Sequence, residues 1–117
     1  MYKSGNEVVD LSFEFALEII EFAEILEEKR KFVVSNQILK SGTSIGANIR
    51  EAQNAESKAD FIHKMKIAAK EADENEYWLL LCHYSRNYPE TSELQNRLSS
   101  IKKLLNKIIS SSKKSEH

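Results

Sequence analysis

The stretch SNQILKSGTSIGANIREAQNA, residues 35–55, decides the fold of this chain. Its centre, Ser41 to Ala47, contains two of the protein's three glycines, with serines and a threonine between them. Each glycine in a helix interior costs up to about 1 kcal/mol relative to alanine. A helix that accepts this loss usually does so where another backbone approaches closely. We therefore expect a close helix contact at Gly42 and Gly46.

Apolar and small residues around these glycines repeat at alternating intervals of four and three. The positions are Val34, Ile38, Ser41, Ile45, Asn48, Ala52 and Ala55. This spacing is typical of a helix that packs in a bundle. A loop over residues 41–46 is the alternative. Because the repeat keeps its phase across both glycines, we favour one continuous helix.

The rest of the chain is also rich in helix-forming residues and has the size of one domain. Only one proline and three glycines occur among its 117 residues, which favours helices over a sheet. Apolar periodicity predicts helices at about 10–31, 34–56, 58–87 and 90–111. Candidate N-caps, in chain order, are Asp10 or Ser12, Ser35, Ser57, and Thr91 or Ser92. The pattern predicts an all-α, antiparallel up-down-up-down four-helix bundle, a single domain over residues 1–117.

Two apolar features exceed what a lone bundle needs. The first helix has a second apolar stripe, with Phe13 and Ile20, that widens its apolar face to about 200°, whereas a surface helix needs about 100°. On the third helix, Ile67, Trp78 and Leu81 form a patch away from the apolar positions that are expected to face the bundle core. Large apolar patches usually contact a partner. We predict that these five residues form an interface between subunits.

Polar residues also occupy positions of the helical repeat that should face the bundle core. Asn48 and Asn75 fall at core positions, with Glu51, Glu71 and Glu74 nearby on their helices. A buried hydrogen-bond network would fix the register between the second and third helices. The alternative is a ligand site or a catalytic carboxylate pair, but we favour the structural role. The predicted packing and polar-core residues are Ser41, Gly42, Ile45, Gly46, Asn48 and Asn75.

The sequence patterns of catalytic and cofactor sites are missing. Asp60-x-x-His63 is the single relative of the Glu-x-x-His motif, of which a di-iron bundle needs two. Gly42 and Gly46 lack the lysine-serine ending of a phosphate loop. Cys82 stands alone beside leucines and is expected to be a buried small hydrophobe. We predict no cofactor, no metal and no enzyme activity.

The N-terminal sequence MYKSGNEVVD has no apolar signal core, and no apolar run reaches membrane-spanning length. We therefore expect a cytoplasmic protein without a membrane partner.

The net charge of −1 hides an uneven distribution. Glu7 to Lys31 carries eight acids and three bases, whereas Pro89 to His117 carries six bases and three acids. Repeated around an oligomer, modest basic faces would sum to a large one that attracts nucleic acid. Since no aromatic residues interleave with the bases, we expect salt-sensitive contacts with backbone phosphates and little sequence preference. The candidate residues are Lys40, Arg50, Lys58, Lys64, Lys66, Lys70, Arg97, Lys103 and Lys107.

Residues 37–81, QILKSGTSIGANIREAQNAESKADFIHKMKIAAKEADENEYWLLL, resemble the family of 23S ribosomal RNA intervening-sequence proteins. The preceding SFEFALEIIEFAEIL fits as well, and the resemblance extends over residues 8 to 110. It implies an antiparallel four-helix bundle that assembles as a ring-like homopentamer and associates with nucleic acid. Such proteins are encoded within insertions in 23S ribosomal RNA genes or free-standing in bacterial genomes.

A similar fold is used by the accessory variability protein of diversity-generating retroelements, a basic pentamer that binds reverse transcriptase and nucleic acid. The present chain differs in its near-neutral charge and acidic first helix. The leading hypothesis is a non-enzymatic oligomer that associates with nucleic acid, RNA rather than DNA. The second hypothesis is a scaffold or accessory factor whose oligomer presents a surface to a protein partner.

Overall fold

Four helices account for most of the chain. The computed structural model describes residues 3–114, so the predicted domain of residues 1–117 extends past the described residues at both ends. The helices are α1 (Glu7–Glu28), α2 (Phe32–Ala52), α3 (Lys58–Tyr84) and α4 (Ser92–Lys114), and the described part of the chain contains no strand. The all-α prediction is confirmed; the start of α3 agrees with the predicted residue 58, and the other helix ends differ from the predicted ones by two to four residues.

The first two helices begin earlier than predicted. Asn6, and neither Asp10 nor Ser12, is the N-cap of α1, because its side chain accepts a hydrogen bond from the backbone N of Val9 at 3.4 Å. Helix α2 begins at Phe32 without a side-chain cap. Its predicted cap, Ser35, is buried inside the helix and donates a hydrogen bond to the Ala23 carbonyl of α1 at 2.8 Å.

The last two helices begin with side-chain caps. Ser57 caps α3 as predicted, accepting a hydrogen bond from the Asp60 backbone N at 3.0 Å. At α4 the Glu90 carboxylate accepts hydrogen bonds from the backbone N atoms of Thr91 and Ser92 at 2.8 and 2.7 Å. The two hydrogen bonds from Ser92, the largest contributions, lower the pKa of Glu90 to about 2. A carboxylate supplies the α4 cap instead of the predicted hydroxyl.

Neighbouring helices run in opposite directions. Asn6 at the start of α1 contacts Gln53 just after α2, whereas Ala23 near the end of α1 contacts Ser35 near the start of α2. The same reversal relates α2 to α3 and α3 to α4, through Glu51–Lys64 and Ile38–Asn75, and through Leu79–Thr91 and Asp73–Lys102. Helix α1 packs on α2 and α4, and α3 packs on the same two helices from the other side. The arrangement is the antiparallel bundle that the sequence predicts.

A single apolar core lies along the centre of the bundle. Helices α1, α2 and α3 each bury seven residues, whereas α4 buries three. Each large apolar side chain that becomes fully buried contributes about 1.5–3 kcal/mol to the free energy of unfolding, so burial of these side chains holds the fold together. The largest fully buried apolar side chains are Phe15, Ile19, Leu26, Ile38, Ile45, Ile49, Met65, Leu79, Leu98, Ile101 and Leu105.

Candidate nucleic-acid and subunit interfaces

The glycines of α2 lie where α1 comes closest. A Cβ atom added to Gly42 would lie 2.7 Å from Ile19 Cγ2, a distance that real side chains do not tolerate. A Cβ atom on Gly46 would lie 3.3 Å from the backbone carbonyl oxygen of Ser12. The segment from Ser41 to Ala47 is helical throughout, so the prediction of one continuous helix is confirmed. Its small residues let α1 and α2 pack closely.

Asn75 forms a polar contact inside the core. It is fully buried on α3, and its Nδ2 donates hydrogen bonds to the Ile38 carbonyl at 3.2 Å and to Ser41 Oγ at 3.0 Å, both on α2. Ser41 Oγ in turn donates to the Gln37 carbonyl at 2.8 Å. The Oδ1 atom of Asn75 is buried and has no hydrogen-bond partner. The contact fixes the register of α3 against α2, because sliding either helix would leave Nδ2 unpaired as well.

Asn48 does not belong to this polar contact, and that part of the prediction is wrong. Its side chain is only half-buried and donates to the Ser44 carbonyl, one turn earlier in its own helix, at 2.8 Å. The regular repeat of four and three placed it in the seam. The next residue, Ile49, is the one that is buried there.

Two of the predicted nucleic-acid contacts form ion pairs within the bundle. Lys64 Nζ lies 3.2 Å from Glu51 on α2. The guanidinium of Arg97 contacts Glu18 on α1 and Glu93 on its own helix, both at 3.0 Å. Exposed pairs of this kind contribute about 0–1 kcal/mol each. These two bases lie on different sides of the bundle, and their charge is already compensated.

Arg50, Lys40 and Lys58 are also scattered. Arg50 lies at the rim of an apolar cleft of about 170 Å³ between α1 and α2. Lys40 lies close enough to Glu71 to act on its carboxyl, whose pKa is nevertheless raised, first by burial and then by the charge of Glu74. Lys58 is the first residue of α3 and lies at one end of the bundle. The nine predicted bases therefore do not share one surface.

Six further exposed lysines lie on the adjacent helices α3 and α4, and two of them, Lys103 and Lys107, line a groove with Glu7 and Leu11 of α1. Between Leu94 and Lys114, α4 carries six bases and no acid. We define the lysine surface as the exposed residues Lys66 and Lys70 of α3 together with Lys103, Lys107, Lys113 and Lys114 of α4. The two helices pack side by side, and such pairs of helices lie about 8–10 Å apart. Lys113 and Lys114 were not among the predicted residues.

Lys102 joins the two helices beneath this surface. Its Nζ lies 2.9 Å from Asp73 Oδ1 and 3.0 Å from Glu76 Oε1, both on α3. Burial acts to lower the pKa of Lys102, but the hydrogen bonds to the two carboxylates outweigh it and raise that pKa. One base of α4 therefore offsets half of the charge of the two α3 acids that it contacts.

Aromatic residues accompany the α3 lysines, contrary to the expectation from the sequence. Tyr77 and Tyr84 are 60% and 82% exposed. Tyr77 lies seven residues after Lys70, and Tyr84 seven residues after Tyr77. Seven residues make about two helical turns, so these side chains leave α3 on the same side.

The five residues of the predicted subunit interface fall into two groups. Phe13 lines the cleft between α1 and α2, and Ile20 of the same helix is 41% exposed. On α3, Leu81 is 39% exposed, whereas Ile67 and Trp78 are half-buried. Trp78 packs against the core, so less of this patch faces solvent than the sequence suggests.

Within residues 3–114, no group of three or more potential metal ligands comes together. Cys82 is buried as predicted, and burial raises the pKa of its thiol to about 11. A thiol with this pKa stays protonated near neutral pH and is a poor nucleophile. None of the helices in the described residues is long and apolar enough to span a bilayer.

Comparison with protein families matches residues 4–109 to the family described as 23S rRNA-intervening sequence protein. A similar solved structure is the 1.70 Å crystal structure of a protein of unknown function from the S23 ribosomal protein family of Bacteroides thetaiotaomicron. The two chains are 50% identical and superpose with a TM-score of 0.83, over 87% of this chain and 97% of that one. Comparison with curated proteins finds no significant match.

Proposed function

Because the chain belongs to the family of 23S rRNA-intervening sequence proteins, we propose that it is a non-enzymatic, self-associating bundle that binds nucleic acid, RNA rather than DNA. The observation that carries the proposal is the lysine surface. Four of its bases stand on a helix segment with no acid, and Lys102 forms ion pairs with Asp73 and Glu76 of α3. The choice of RNA follows the ribosomal RNA named in the family description, and such a partner would place the protein in the cytoplasm.

Lysine side chains on two rigid helices suit contact with phosphates. An ammonium group is a point charge without the planar fork of arginine, so it binds a phosphate without reading a base edge. Each phosphate contact releases a counterion, which makes the affinity fall steeply as salt rises. The expected binding is therefore weakly specific for sequence and strongly dependent on salt.

A salt series with matched variants tests the proposal. We would measure retention of a stem-loop RNA, and of DNA of the same sequence, by the wild-type protein and by a quadruple variant, Lys66→Gln, Lys70→Gln, Lys103→Gln and Lys107→Gln. We expect affinity near 100 mM salt to fall about tenfold or more, and the salt slope to fall by about one for each phosphate that is no longer neutralised. The control removes four charges elsewhere, by Lys29→Gln, Arg30→Gln, Lys40→Gln and Arg50→Gln. Equal reductions in affinity for both variants, or no retained RNA even at low salt, would overturn the proposal.

Self-association is supported by the apolar residues that the bundle leaves in solvent. Ile20 and Leu81 lie on different helices and are each about two-fifths exposed. An assembly would also repeat the lysine surface and raise the local charge density. By the resemblance to its family, a pentameric ring is the proposed form.

Light scattering tests the assembly. We expect several subunits for the wild-type protein, fewer for the double variant Ile20→Glu and Leu81→Glu, and an unchanged melting temperature at low concentration. Trp78 is a poor choice for this test because it packs against the core, so a charge there would also damage the fold. Val33→Glu is the control, because Val33 is 72% exposed at the start of α2. A monomeric wild-type protein would contradict the assembly.

The alternative function is a scaffold or accessory factor for a protein partner. The observation that favours it is the cleft of about 170 Å³ between α1 and α2, which Val9, Phe13, Ala16 and Ala47 line with apolar atoms. A bacterial lysate treated with nuclease would distinguish the two functions. Recovery of one protein partner by wild-type protein, but not by Ala47→Glu, would support the scaffold.

A further inference from the structure

Apolar surface remains open on the side of the bundle that α1 and α2 share. Phe13 and Ala16 of α1 and Ala47 of α2 line the cleft of about 170 Å³ between these helices. Ile20 lies seven residues, or about two helical turns, after Phe13, so it leaves α1 on the same side, where it is 41% exposed. We define the α1–α2 face as Phe13, Ala16, Ile20 and Ala47. The cleft makes this face concave.

A second apolar surface lies on the side that α2 and α3 share. The charge of Lys40 on α2 acts on the Glu71 carboxyl, so Glu71 marks the edge of α3 nearest α2. Trp78 lies seven residues after Glu71 and therefore on the same edge. Ile67 lies one turn before Glu71, and Leu81 one turn after Trp78. We define the α2–α3 patch as Ile67, Trp78 and Leu81, of which the first two are half-buried and Leu81 is 39% exposed.

Hydrogen bonds between the helices give the level of each surface along α2. Ser35 of α2 donates to α1 three residues after Ile20, and Ile38 of α2 accepts from α3 three residues before Trp78. Because neighbouring helices are antiparallel, Ile20 is about level with residue 38 of α2 and Trp78 with residue 35, a difference of about 5 Å. A rotation about an axis parallel to the helices moves no residue along that axis, so it can bring the two surfaces of neighbouring copies together.

The two surfaces also point in different directions. In the described residues α1 and α3 each pack on α2 and α4 and not on each other, so the helices stand at the corners of a square. The α1–α2 face and the α2–α3 patch belong to adjacent sides of that square. Contact between like surfaces would leave the other surface of each subunit in solvent. Contact between unlike surfaces covers both, and contact directions about 90° to 108° apart close a ring of four or five subunits.

We propose that the α1–α2 face of one subunit packs on the α2–α3 patch of the next, which places α2 toward the axis of a ring and α4 on its outside. This inference rests on the proposed self-association and names the surfaces that make the contact. A second copy of this chain fits the face because it supplies an apolar surface at the same level and in the direction that closure requires. The α4 part of the lysine surface then lies outside the ring, where nucleic acid can reach it in every subunit.

Introduced cysteines test which surfaces meet. Glu24→Cys lies four residues after Ile20 at the edge of the α1–α2 face, Leu81→Cys lies in the α2–α3 patch, and both positions are exposed. Thiols held across an interface have an effective concentration of about 1 mM, so at about 10 µM protein a short bismaleimide should link subunits of the double variant about 100-fold faster than free monomers. The product should be a ladder that ends at the complete ring.

Three controls accompany the double variant. Each single variant carries only one half of the contact and should give no ladder. Glu24→Cys with Asn96→Cys should give none either, because Asn96 is exposed on α4, on the outside of the ring. The wild-type protein measures any reaction of the buried Cys82.

Trp78, the only tryptophan of the chain, reports the same contact without a crosslinker. Within the described part of one subunit α1 does not pack on α3, so Ile20→Glu can reach Trp78 only through a neighbouring subunit. The emission of Trp78 should therefore shift to longer wavelength in Ile20→Glu, as it should in wild-type protein diluted until it dissociates. Asn96→Glu should leave the emission unchanged.

The outcomes separate this inference from the proposed function. Crosslinked dimers from either single variant would show that like surfaces meet, which would overturn the inference and leave the proposed self-association standing. An assembled double variant without a ladder would do the same, as would an Ile20→Glu protein that dissociates without a shift in Trp78 emission. A monomeric wild-type protein would overturn both the inference and the proposed assembly.

Discussion

The inward side of α2 and the outward side of α3 are the two most distinctive surfaces of this chain, and they differ in what their residues contact. On α2, Gly42 lacks a side chain because Ile19 of α1 occupies the space. On α3, Tyr77 and Tyr84 project large rings into solvent, and each ring contacts the aromatic residue next to it in the chain. The first surface is satisfied by the fold. The second is left in solvent by the fold.

This difference separates residues that determine stability from residues that the fold leaves exposed. A change on the inward side of α2 or α3 should alter the free energy of unfolding, because buried groups there have no solvent to replace a missing partner. A change on the outward side of α3 should leave stability almost unchanged and alter affinity. The variants below test the two sides, from the largest expected effect to the smallest.

Asn75→Asp should have the largest effect. The substitution keeps the shape of the side chain but removes the Nδ2 donor and places a charge at a fully buried position facing the Ile38 carbonyl. An unpaired buried charge costs about 3–5 kcal/mol, so urea unfolding at pH 7 should show a destabilisation of this size.

The new carboxyl should also make the stability of the Asn75→Asp variant depend on pH. Burial raises the folded-state pKa of such a group above its unfolded value of about 3.9. The destabilisation should therefore shrink as pH falls toward 4 and grow as pH rises. Asn48→Asp is the control, because Asn48 is half-buried and bonds only within α2, and it should cost less than about 1 kcal/mol. Similar destabilisation in both variants would contradict the distinct roles of the two asparagines.

Gly42→Ala should be the next largest effect. The new Cβ would lie 2.7 and 2.8 Å from two carbons of the fully buried Ile19. Overpacking of this kind costs about 1–3 kcal/mol, against a gain of up to about 1 kcal/mol in helix propensity. We expect a net decrease in the free energy of unfolding, measured in urea. In Gly46→Ala the nearest contact is 3.3 Å, so its net change should be smaller. A Gly42→Ala protein more stable than wild type would show that α1 does not constrain this position.

Glu90→Gln should change how stability depends on acid. The pKa of Glu90 is about 2, below its ordinary 4.5, so its contribution to stability is complete above pH 4.5 and is lost as pH falls toward 2. Without the carboxylate, the melting temperature should fall less steeply between pH 5 and pH 2.5. Parallel acid profiles for the two proteins would mean that the Glu90 cap does not contribute to stability.

The smallest effect on stability should come from the outward side of α3. Tyr77→Ala with Tyr84→Ala removes two large rings, yet both are mostly exposed, so the free energy of unfolding should change by about 0.5 kcal/mol or less. A decrease above about 2 kcal/mol would indicate that the rings support the fold, and the contrast between the two sides would fail.

The sequence was sufficient for the features that depend on helical periodicity. The repeat around Ile38, Ser41 and Ile45 placed the glycines inside a helix, and their cost in propensity indicated the close contact with α1. Helix number, order and direction follow from the same periodicity. The N-cap at Asn6 was missed because Asp10 and Ser12, the predicted caps, lie closer to the first apolar stripe.

Features that depend on which helices face each other could not be predicted from the sequence. The same repeat placed both Asn48 and Asn75 in seams, and only the packing of α3 on α2 buries one of them. Likewise, nothing local indicates that Arg97 pairs with Glu18 or that Lys102 pairs with Asp73, since these partners are far apart in the chain.

The two exposed tyrosines of α3 are a different case, because their spacing was visible in the sequence. Tyr77 and Tyr84 follow Lys70 at intervals of seven residues. The prediction treated the bases of the second, third and fourth helices as one set, and in that set no aromatic residues alternate with the bases. Within α3 alone, the lysines and the tyrosines lie on the same side of the helix. The structure adds that the tyrosine rings are exposed.

The shallow burial of α4 has a consequence for motion. With three buried residues against seven in each of the other helices, α4 has the least apolar surface to expose when it detaches from the bundle. Segments with little buried surface open locally before the whole domain unfolds, and their amide hydrogens exchange first. The amides of α4 should therefore exchange fastest among the four helices. A ligand that bridges the lysines of α3 and α4 would hold the helix closed, so slower exchange in α4 would report occupancy without any label.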